Sequence, residues 1–556
     1  MIKETLVGYF EESIKKYWDT TAFTNYNDKE TYTYAQVAEK VAMLHLLFDE
    51  CGVKPDTRIA LIGRNTPNWC VSSIAVLTYG AVWVPILQDF NASDVQHIVN
   101  HSEAELFFCS DVIWDALEED ALEDVKAVFS LTDFRALQRK NAKKYNELVQ
   151  SLPKLMKKKY PSGFAKENVN YAKPDNSKLA LINYTSGTSG FSKGVMLTGN
   201  NLVGNVKFAI SKEIIKPQSN HLSFLPLAHA YGCAFDFLYA FSIGAHITLL
   251  GKTPSPKILL KALSETKPSV VLMVPLIIEK LYKKQLLPTL NRPTMKLITR
   301  LPFVRQQVYA KIREKLISLF GGNVTEIIIG GAALNQEVED FLKNIKFPYT
   351  VGYGMTECAP LISYAHADAF ISHSAGQVLE GFMEARIDSE DPFNVVGEIQ
   401  VRGENVMQGY FKNAEATKDV FTKDGWLRTG DLGTMDKAGN IFIKGRSKNM
   451  ILSSNGQNIY PEELESKLNN LPFVSESLVI ERNGKLVALV YPDYESLDAS
   501  EYTQKDLPPI MESNLKILNA SEAAYKSISS IQLYPNEFEK TPKKSIKRFL
   551  YDSIAE

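Results

Sequence analysis

The sequence predicts an α/β protein: a large N-terminal body of two α/β subdomains and a β-rich subdomain, residues 1–445, followed by a small α+β C-terminal domain, residues 446–556. Three observations lead there. From residue 30 to 130, helix-like segments such as YAQVAEKVAMLHLLFDECG alternate with the compact apolar runs RIALIG, AVWVPI and AELFFCS, the pattern of a parallel sheet with covering helices. A second alternation runs from 177 to 360, with HITLLG, SVVLMVP and TEIIIGG as strands whose ends carry Gly or Pro. After residue 376 the chain turns to short strands and turns (EARIDSEDPFNVVGEIQVRGENVMQGYF), and strand and helix signals start afresh at GRSKNMILSSNGQNIYPEELE.

Size and composition narrow the function classes. A chain of 556 residues buries a large core, and its 45% hydrophobic and 23% charged content is that of an ordinary soluble protein. A net charge of -2 supplies no global basic excess to draw nucleic acid. Five cysteines scattered without C-x-x-C spacing argue against a zinc site or a disulfide framework and for a reducing compartment. The first residues, MIKETLVGYFEESIKKYW, have helical periodicity and mixed charge rather than the make-up of a secretory signal, and no uninterrupted apolar run is long enough to span a bilayer. The expected location is the cytoplasm.

Residues 184–194, YTSGTSGFSKG, combine three glycines, five aliphatic hydroxyls and one lysine. A loop so poor in side-chain bulk leaves backbone N–H groups free to face an anion, and its hydroxyls and Lys193 add donors, so a phosphate chain fits best. The apolar run LALINY precedes it, and VMLTGNNLVGNVKFAI is expected to open a helix soon after, giving the strand, loop, helix order of phosphate sites. The match to G-x-x-x-x-G-K-[ST] fails: counting from Gly187, the second glycine is Ser192 and the residue after Lys193 is Gly194. This is a different phosphate loop.

Further motifs follow in order. VGYGMTECAP carries Tyr353, Thr356 and Glu357, WLRTGDLG puts Asp431 in a Gly-flanked turn, and GRSKN opens the final domain. With YTSGTSGFSKG first, this series closely resembles the adenylate-forming superfamily of acyl-CoA synthetases, luciferases and peptide-synthetase adenylation domains, and the resemblance covers nearly the whole chain. It implies a carboxylate activated by ATP, with charge offset on both sides of the α-phosphorus. By resemblance, Thr185, Ser186, Gly187, Thr188, Ser189, Gly190 and Lys193 embrace the β- and γ-phosphates, Thr356 touches the α-phosphate and Glu357 holds Mg²⁺, a hard ion suited to an oxygen ligand. Tyr353, between Gly352 and Gly354, stacks on adenine, and Gly330, Gly331 and Ala332 of GGAAL line the other side of the base. The resemblance further implies that Asp431 accepts from both ribose hydroxyls, with Arg446 in support. Taken alone, Glu357 reads equally as a surface carboxylate and Asp431 as a turn former.

For the acid's tail, FLPLAHAYG resembles the segment in which a histidine, here His229, borders the acyl pocket of acyl-CoA synthetases. A peptide-synthetase domain would place an Asp near here to hold an amino group, but the H-A-Y-G context of Asp236 is that of the fatty acid branch. The stretch 276–320 resembles the helical elaboration of long-chain acyl-CoA synthetases. Segment 135–160 holds nine Lys or Arg against one Glu, so it is either a solvated basic helix or a peripheral attachment point for anionic lipid at the inner face of the membrane.

In the C-terminal domain, SSNGQNIYPEELE resembles the loop and helix that build the pantetheine tunnel for CoA after the domain rotates, with Ser454, Asn455 and Gly456 at its tip, and Lys448 stands at the family's hinge. One motif departs from the family pattern. KTPKKSIKR, residues 540–548, stands where relatives read K-T-P-x-G-K-I-x-R, so Ser545 takes the place of the lysine that reaches the site during adenylation. Lys544 is assigned that role, because Lys547 lies beyond the anchoring Ile546. The resulting expectation is a fatty acid–CoA ligase with Lys544, Thr356, Lys193 and His229 as catalytic residues and ATP, Mg²⁺ and CoA as cofactor and substrates. A fatty acyl-AMP ligase serving a carrier protein and a non-catalytic acyl-nucleotide sensor are the alternatives.

Overall fold

A computed structural model describes residues 2–185, 192–251, 255–298, 300–452, 457–541 and 545–551. The first α/β unit is a seven-stranded sheet in the order Gly409–Tyr410, Lys193–Thr198, Leu179–Thr185, Val82–Ile86, Arg58–Ile62, Leu106–Cys109, Ala127–Ser130. The strands Val82–Ile86, Arg58–Ile62, Leu106–Cys109 and Ala127–Ser130 run parallel and are almost fully buried, which is why they read as apolar runs. Helix Pro67–Tyr79 is buried nearly all round, begins on Thr66 as N-cap with Pro67 in its first turn, and ends at Gly80, whose φ of 85° no β-carbon residue adopts readily. Two further sheets follow, one ordered Thr31–Thr33, Thr21–Asn25, His246–Leu249, Asn220–Ser223, the other a parallel set of Val270–Met273, Glu326–Ile329 and Tyr349–Val351. The expected strands RIALIG, AVWVPI, AELFFCS, HITLLG, SVVLMVP and TEIIIGG are all present.

One expectation changes. The helix anticipated soon after the phosphate loop is preceded by a strand, Lys193–Thr198, which pairs antiparallel with Leu179–Thr185, and the helix starts only at Gly199 under the Thr198 cap. The order is strand, loop, strand, because cross-strand pairing places Val195 and Leu197 in the core. The two α/β units exchange strands: those at 179–198 complete the first sheet, while Thr21–Asn25 pairs with His246–Leu249.

The β-rich segment forms an antiparallel sheet of Met383–Asp388, Gly397–Gly403, Leu427–Met435 and Ile441–Arg446. The basic segment 135–160 folds as helix Ala142–Lys159, whose Tyr145, Leu152 and Met156 are buried and whose Lys157, Lys158 and Lys159 stand in solvent. The stretch 276–320 is a series of helices broken at residues 291–292 and 300–301, including a π-turn at Tyr282–Leu286 and the long helix Pro302–Leu319.

Beyond Arg446 the chain packs around apolar clusters of its own. One contains Ile459, Leu464, Leu468, Val479, Met511 and Leu518. The other contains Leu478, Ile480, Phe538 and Tyr551, on the opposite face of the sheet Val474–Arg482, Lys485–Pro492, Ile528–Leu533. Arg548 pairs with the buried Glu465 of helix Pro461–Leu468, which ties the last described turn to the start of this unit. All five cysteines are free.

Candidate active site

The phosphate loop leaves the first sheet between Thr185 and Lys193, which face each other across the strand pair. Ser186, Gly187, Thr188, Ser189 and Gly190 lie outside the described residues. At the base of the loop the Lys193 ammonium sits 4.9 Å above the Tyr410 ring, a cation–π contact, and the Tyr410 hydroxyl donates to Glu357 Oε1 at 2.9 Å. Tyr410 is held there because Gly409–Tyr410 pairs with Val195 and Met196 and because Met407 N–H donates to the Glu357 carbonyl at 2.8 Å. Lys193, the candidate for phosphate, and Glu357, the candidate for a metal, thus share one aromatic neighbour. Burial and the Glu357 carboxylate push the Tyr410 phenol far above its usual range, so it stays a donor. Tyr410 was not singled out from the sequence; only its place in QGYF, at the end of the β-rich text, could have flagged it.

A second cluster forms across the β-rich sheet. Asp431 and Arg446 are cross-strand partners, with Arg446 Nε 2.8 Å from Asp431 Oδ1, and the Tyr353 hydroxyl donates to Asp431 Oδ2 at 2.7 Å. Asp431 is 5% exposed. Burial pushes its carboxyl up, and the Arg446 guanidinium and the Tyr353 bond oppose that shift. Tyr353 and Glu357 are four residues apart, so one segment carries a member of each cluster, with Thr356 between them buried at the start of a 3₁₀ turn.

Gly330, Gly331 and Ala332 leave the end of strand Glu326–Ile329, and the Gly352 N–H donates to Ile329 O at 2.9 Å. A β-carbon on Gly354 would lie 2.2 Å from the Pro360 carbonyl, so the close pairing of Tyr353–Gly354 with Leu361–Ser363 requires glycine. A β-carbon on Gly330 would press at 3.3 Å on the ring of Tyr231, whose hydroxyl donates to Ile328 O at 3.0 Å. Tyr231 is two residues from His229, so the acyl segment and the GGAA wall meet through this ring. His229 Nδ1 accepts from Tyr231 N–H at 3.3 Å. Asp236 is fully buried and bonded to His221 Nε2 at 2.8 Å, which makes it a core partner of histidine.

Lys448 is exposed in the 3₁₀ turn Ser447–Asn449, immediately after Arg446. Ser454, Asn455, Gly456 and Lys544 lie outside the described residues. Of their neighbours, Ile451–Leu452 pairs with Asn458–Ile459, and Thr541 N–H donates to Ser545 O at 2.8 Å. Lys547 is paired with Glu539 at 3.4 Å.

The family described as AMP-binding enzyme matches residues 10–411. Fatty acyl-CoA synthetase A of Dictyostelium discoideum is 27% identical over 555 residues, covering 90% of this chain and 78% of that protein. A long-chain-fatty-acid–CoA ligase of Mycobacterium bovis, FadD15, is 26% identical, covering 93% and 89%. Among solved structures, ATP-bound MatB of Rhodopseudomonas palustris superposes with a TM-score of 0.74 at 20% identity, covering 99% of this chain and 98% of that one.

Proposed function

The chain belongs to the AMP-binding enzyme family, and from that membership we propose that it is an ATP-dependent fatty acid–CoA ligase, forming acyl-CoA through an acyl-adenylate with release of pyrophosphate and AMP. The observation that carries this reading is the joining of two clusters, Lys193–Tyr410–Glu357 and Tyr353–Asp431–Arg446, by the single segment 353–357. One supplies a cation and a carboxylate at the phosphate loop, the other a buried carboxylate fit to accept from two vicinal hydroxyls.

In the first half-reaction a fatty acid carboxylate oxygen attacks the α-phosphorus and pyrophosphate departs. Lys193 offsets the charge that grows on the leaving side, and Thr356 borders the α-phosphate. Glu357 is the residue that would hold Mg²⁺, whose chemistry when bound is to neutralise the phosphate oxygens. No group of three or more His, Cys, Asp or Glu suited to a metal exists among the described residues, and an ion held by one carboxylate and phosphate oxygens requires none. Asp431, oriented by Arg446 and Tyr353, binds the ribose, and His229 and Tyr231 border the acid. In the second half-reaction the domain that follows Arg446 turns about Lys448, bringing Ser454, Asn455 and Gly456 to the CoA thiol, which displaces AMP.

The test is thioester formation over acids of graded length, offered CoA or an acyl-carrier protein. Affinity is expected to rise by about 0.8 kcal/mol per buried CH₂, near fourfold each, until the pocket is full. Faster turnover of acetate than of octanoate or palmitate would overturn the fatty acid assignment, and transfer to the carrier alone would overturn the CoA assignment. In the same assay Tyr353→Phe keeps the ring and loses the bond to Asp431, so ATP affinity is expected to fall about tenfold with the fatty acid KM unchanged.

No helix among the described residues is long and apolar enough to cross a membrane. The exposed lysines of helix Ala142–Lys159 fit a peripheral role at anionic lipid. Each of Lys157, Lys158 and Lys159 replaced by Ala is expected to weaken binding to phosphatidylserine vesicles about fivefold in a sedimentation assay.

A further inference from the structure

Helix Pro461–Leu468 opens five residues after Gly456, and its far end is finished by residues of the large body. A helix leaves its last carbonyls without partners inside itself, and these take donors or positive charge. Here Asn335 Nδ2 donates to Ser466 O at 2.9 Å and approaches Ser466 Oγ at 3.3 Å. Lys283 Nζ donates to the carbonyl of Asn469, the residue just past the helix, at 2.5 Å and to Val474 O at 2.7 Å. Asn470 Nδ2 donates in return to Asn335 Oδ1 at 3.0 Å, and Lys284 pairs with Glu495.

Both capping residues are themselves fixed. Asn335 is 8% exposed, its backbone N–H donates to Glu279 Oε1 at 2.9 Å, and its side-chain oxygen accepts from Glu337 and Val338 N–H as the cap of helix Gln336–Asn344. Lys283 and Lys284 leave the π-turn Tyr282–Leu286, a widened turn of the kind found at functional positions. Burial pulls the Lys283 ammonium below its usual range, opposed by the carboxylates of Asp493, Glu279 and Glu337.

The described residues of KTPKKSIKR are bonded within the C-terminal domain itself, whereas helix Pro461–Leu468, which follows the segment assigned to CoA, meets the large body. Lys540 pairs with Glu476 at 2.6 Å and bridges to Ile546, and Thr541 bonds Ser545. We propose that Asn335 and Lys283 form a clamp on the C-terminal end of helix Pro461–Leu468, which holds the C-terminal domain in the orientation of the second, thioester-forming half-reaction. Asn335 and Lys283 are positioning residues in this scheme. Asn335 follows the GGAAL wall directly, so the clamp is anchored beside the nucleotide site. Its kinetic consequence rests on the ligase reading, whereas its conformational consequence rests on the contacts alone.

Two variants separate the clamp from general stability. Asn335→Asp keeps the oxygen that caps helix Gln336–Asn344 and loses the donor to Ser466; Lys283→Met keeps the apolar stem and loses the ammonium. Each is expected to slow thioester formation from preformed acyl-adenylate and CoA about tenfold while pyrophosphate exchange into ATP is unchanged or faster. In parallel, spin labels at Asp419→Cys and Lys505→Cys, both exposed positions, read the distance between the two parts of the protein. The parent should give one narrow distance population, and both clamp variants a broadened or shifted one. An unaltered distance distribution in both variants overturns the clamp, as does an equal loss in the two half-reactions. A parent that forms no acyl-adenylate would instead overturn the ligase reading, and the distance measurement would still decide on the clamp.

Discussion

Glu357→Gln is expected to lower fatty acid-dependent exchange of labelled pyrophosphate into ATP by about 10²- to 10³-fold, the loss typical when a positioned charge at a phosphoryl transfer site is removed. The substitution keeps size and shape, and a glutamine oxygen can still accept from the Tyr410 hydroxyl, now 2.9 Å from Glu357 Oε1. The backbone bond from Met407 N–H is untouched. Folding should therefore survive while the hard anionic ligand is lost, and raising Mg²⁺ should recover part of the rate. Exchange that persists undiminished removes Glu357 from the metal role. Exchange in the parent should require Mg²⁺ and fatty acid together.

Lys544→Ala is expected to lose adenylation by about 10²- to 10³-fold while thioester formation from preformed acyl-adenylate persists. A serine at 545 is too short to reach a nucleotide and carries no charge, so the cation the family places there comes from a neighbour or is missing. Lys547 has other work. Its ammonium is 3.4 Å from Glu539 Oε2 and its N–H donates to the Glu539 carbonyl, which fixes it within the strand-like return of the chain. Lys547→Ala should thus leave the half-reactions close to those of the parent. Selective loss of adenylation in Lys547→Ala would mean the register is wrong. Loss in neither, with a sharp gain in Ser545→Lys, would mark a crippled or specialised ligase.

Much of the scaffold was legible because buried parallel strands have no polar face to disguise them: RIALI, VWVPI, LFFC, VVLM and EIII are unbroken in sequence and buried in the fold. The strand Lys193–Thr198 was not, since KGVMLT is short, runs straight into a helix, and owes its conformation to a partner on the far side of a loop. Sheet membership was hidden for the same reason: nothing local in TAFTN declares that it pairs with HITL more than two hundred residues away. At the site, Tyr353, Asp431 and Arg446 came from ordered motifs and prove to be mutual neighbours. Tyr410, Asn335 and Lys283 carry no motif, and their roles arise only from what the fold brings beside them.

The pairing of Asp431 with Arg446 across adjacent strands bears on how such chains can be recombined. Strand Ile441–Arg446 belongs to the sheet of the large body, yet its last side chain finishes the carboxylate cluster, and the turn Ser447–Asn449 begins one residue later. A chimera that takes its C-terminal module from a relative and is joined after Arg446 keeps the sheet register and the guanidinium together. Joined a few residues earlier, at the start of the strand, it trusts a foreign sequence to restore both the hydrogen-bond ladder and the charge beside Asp431. Module exchange therefore has a natural seam one peptide bond wide, set by a side chain rather than by a linker.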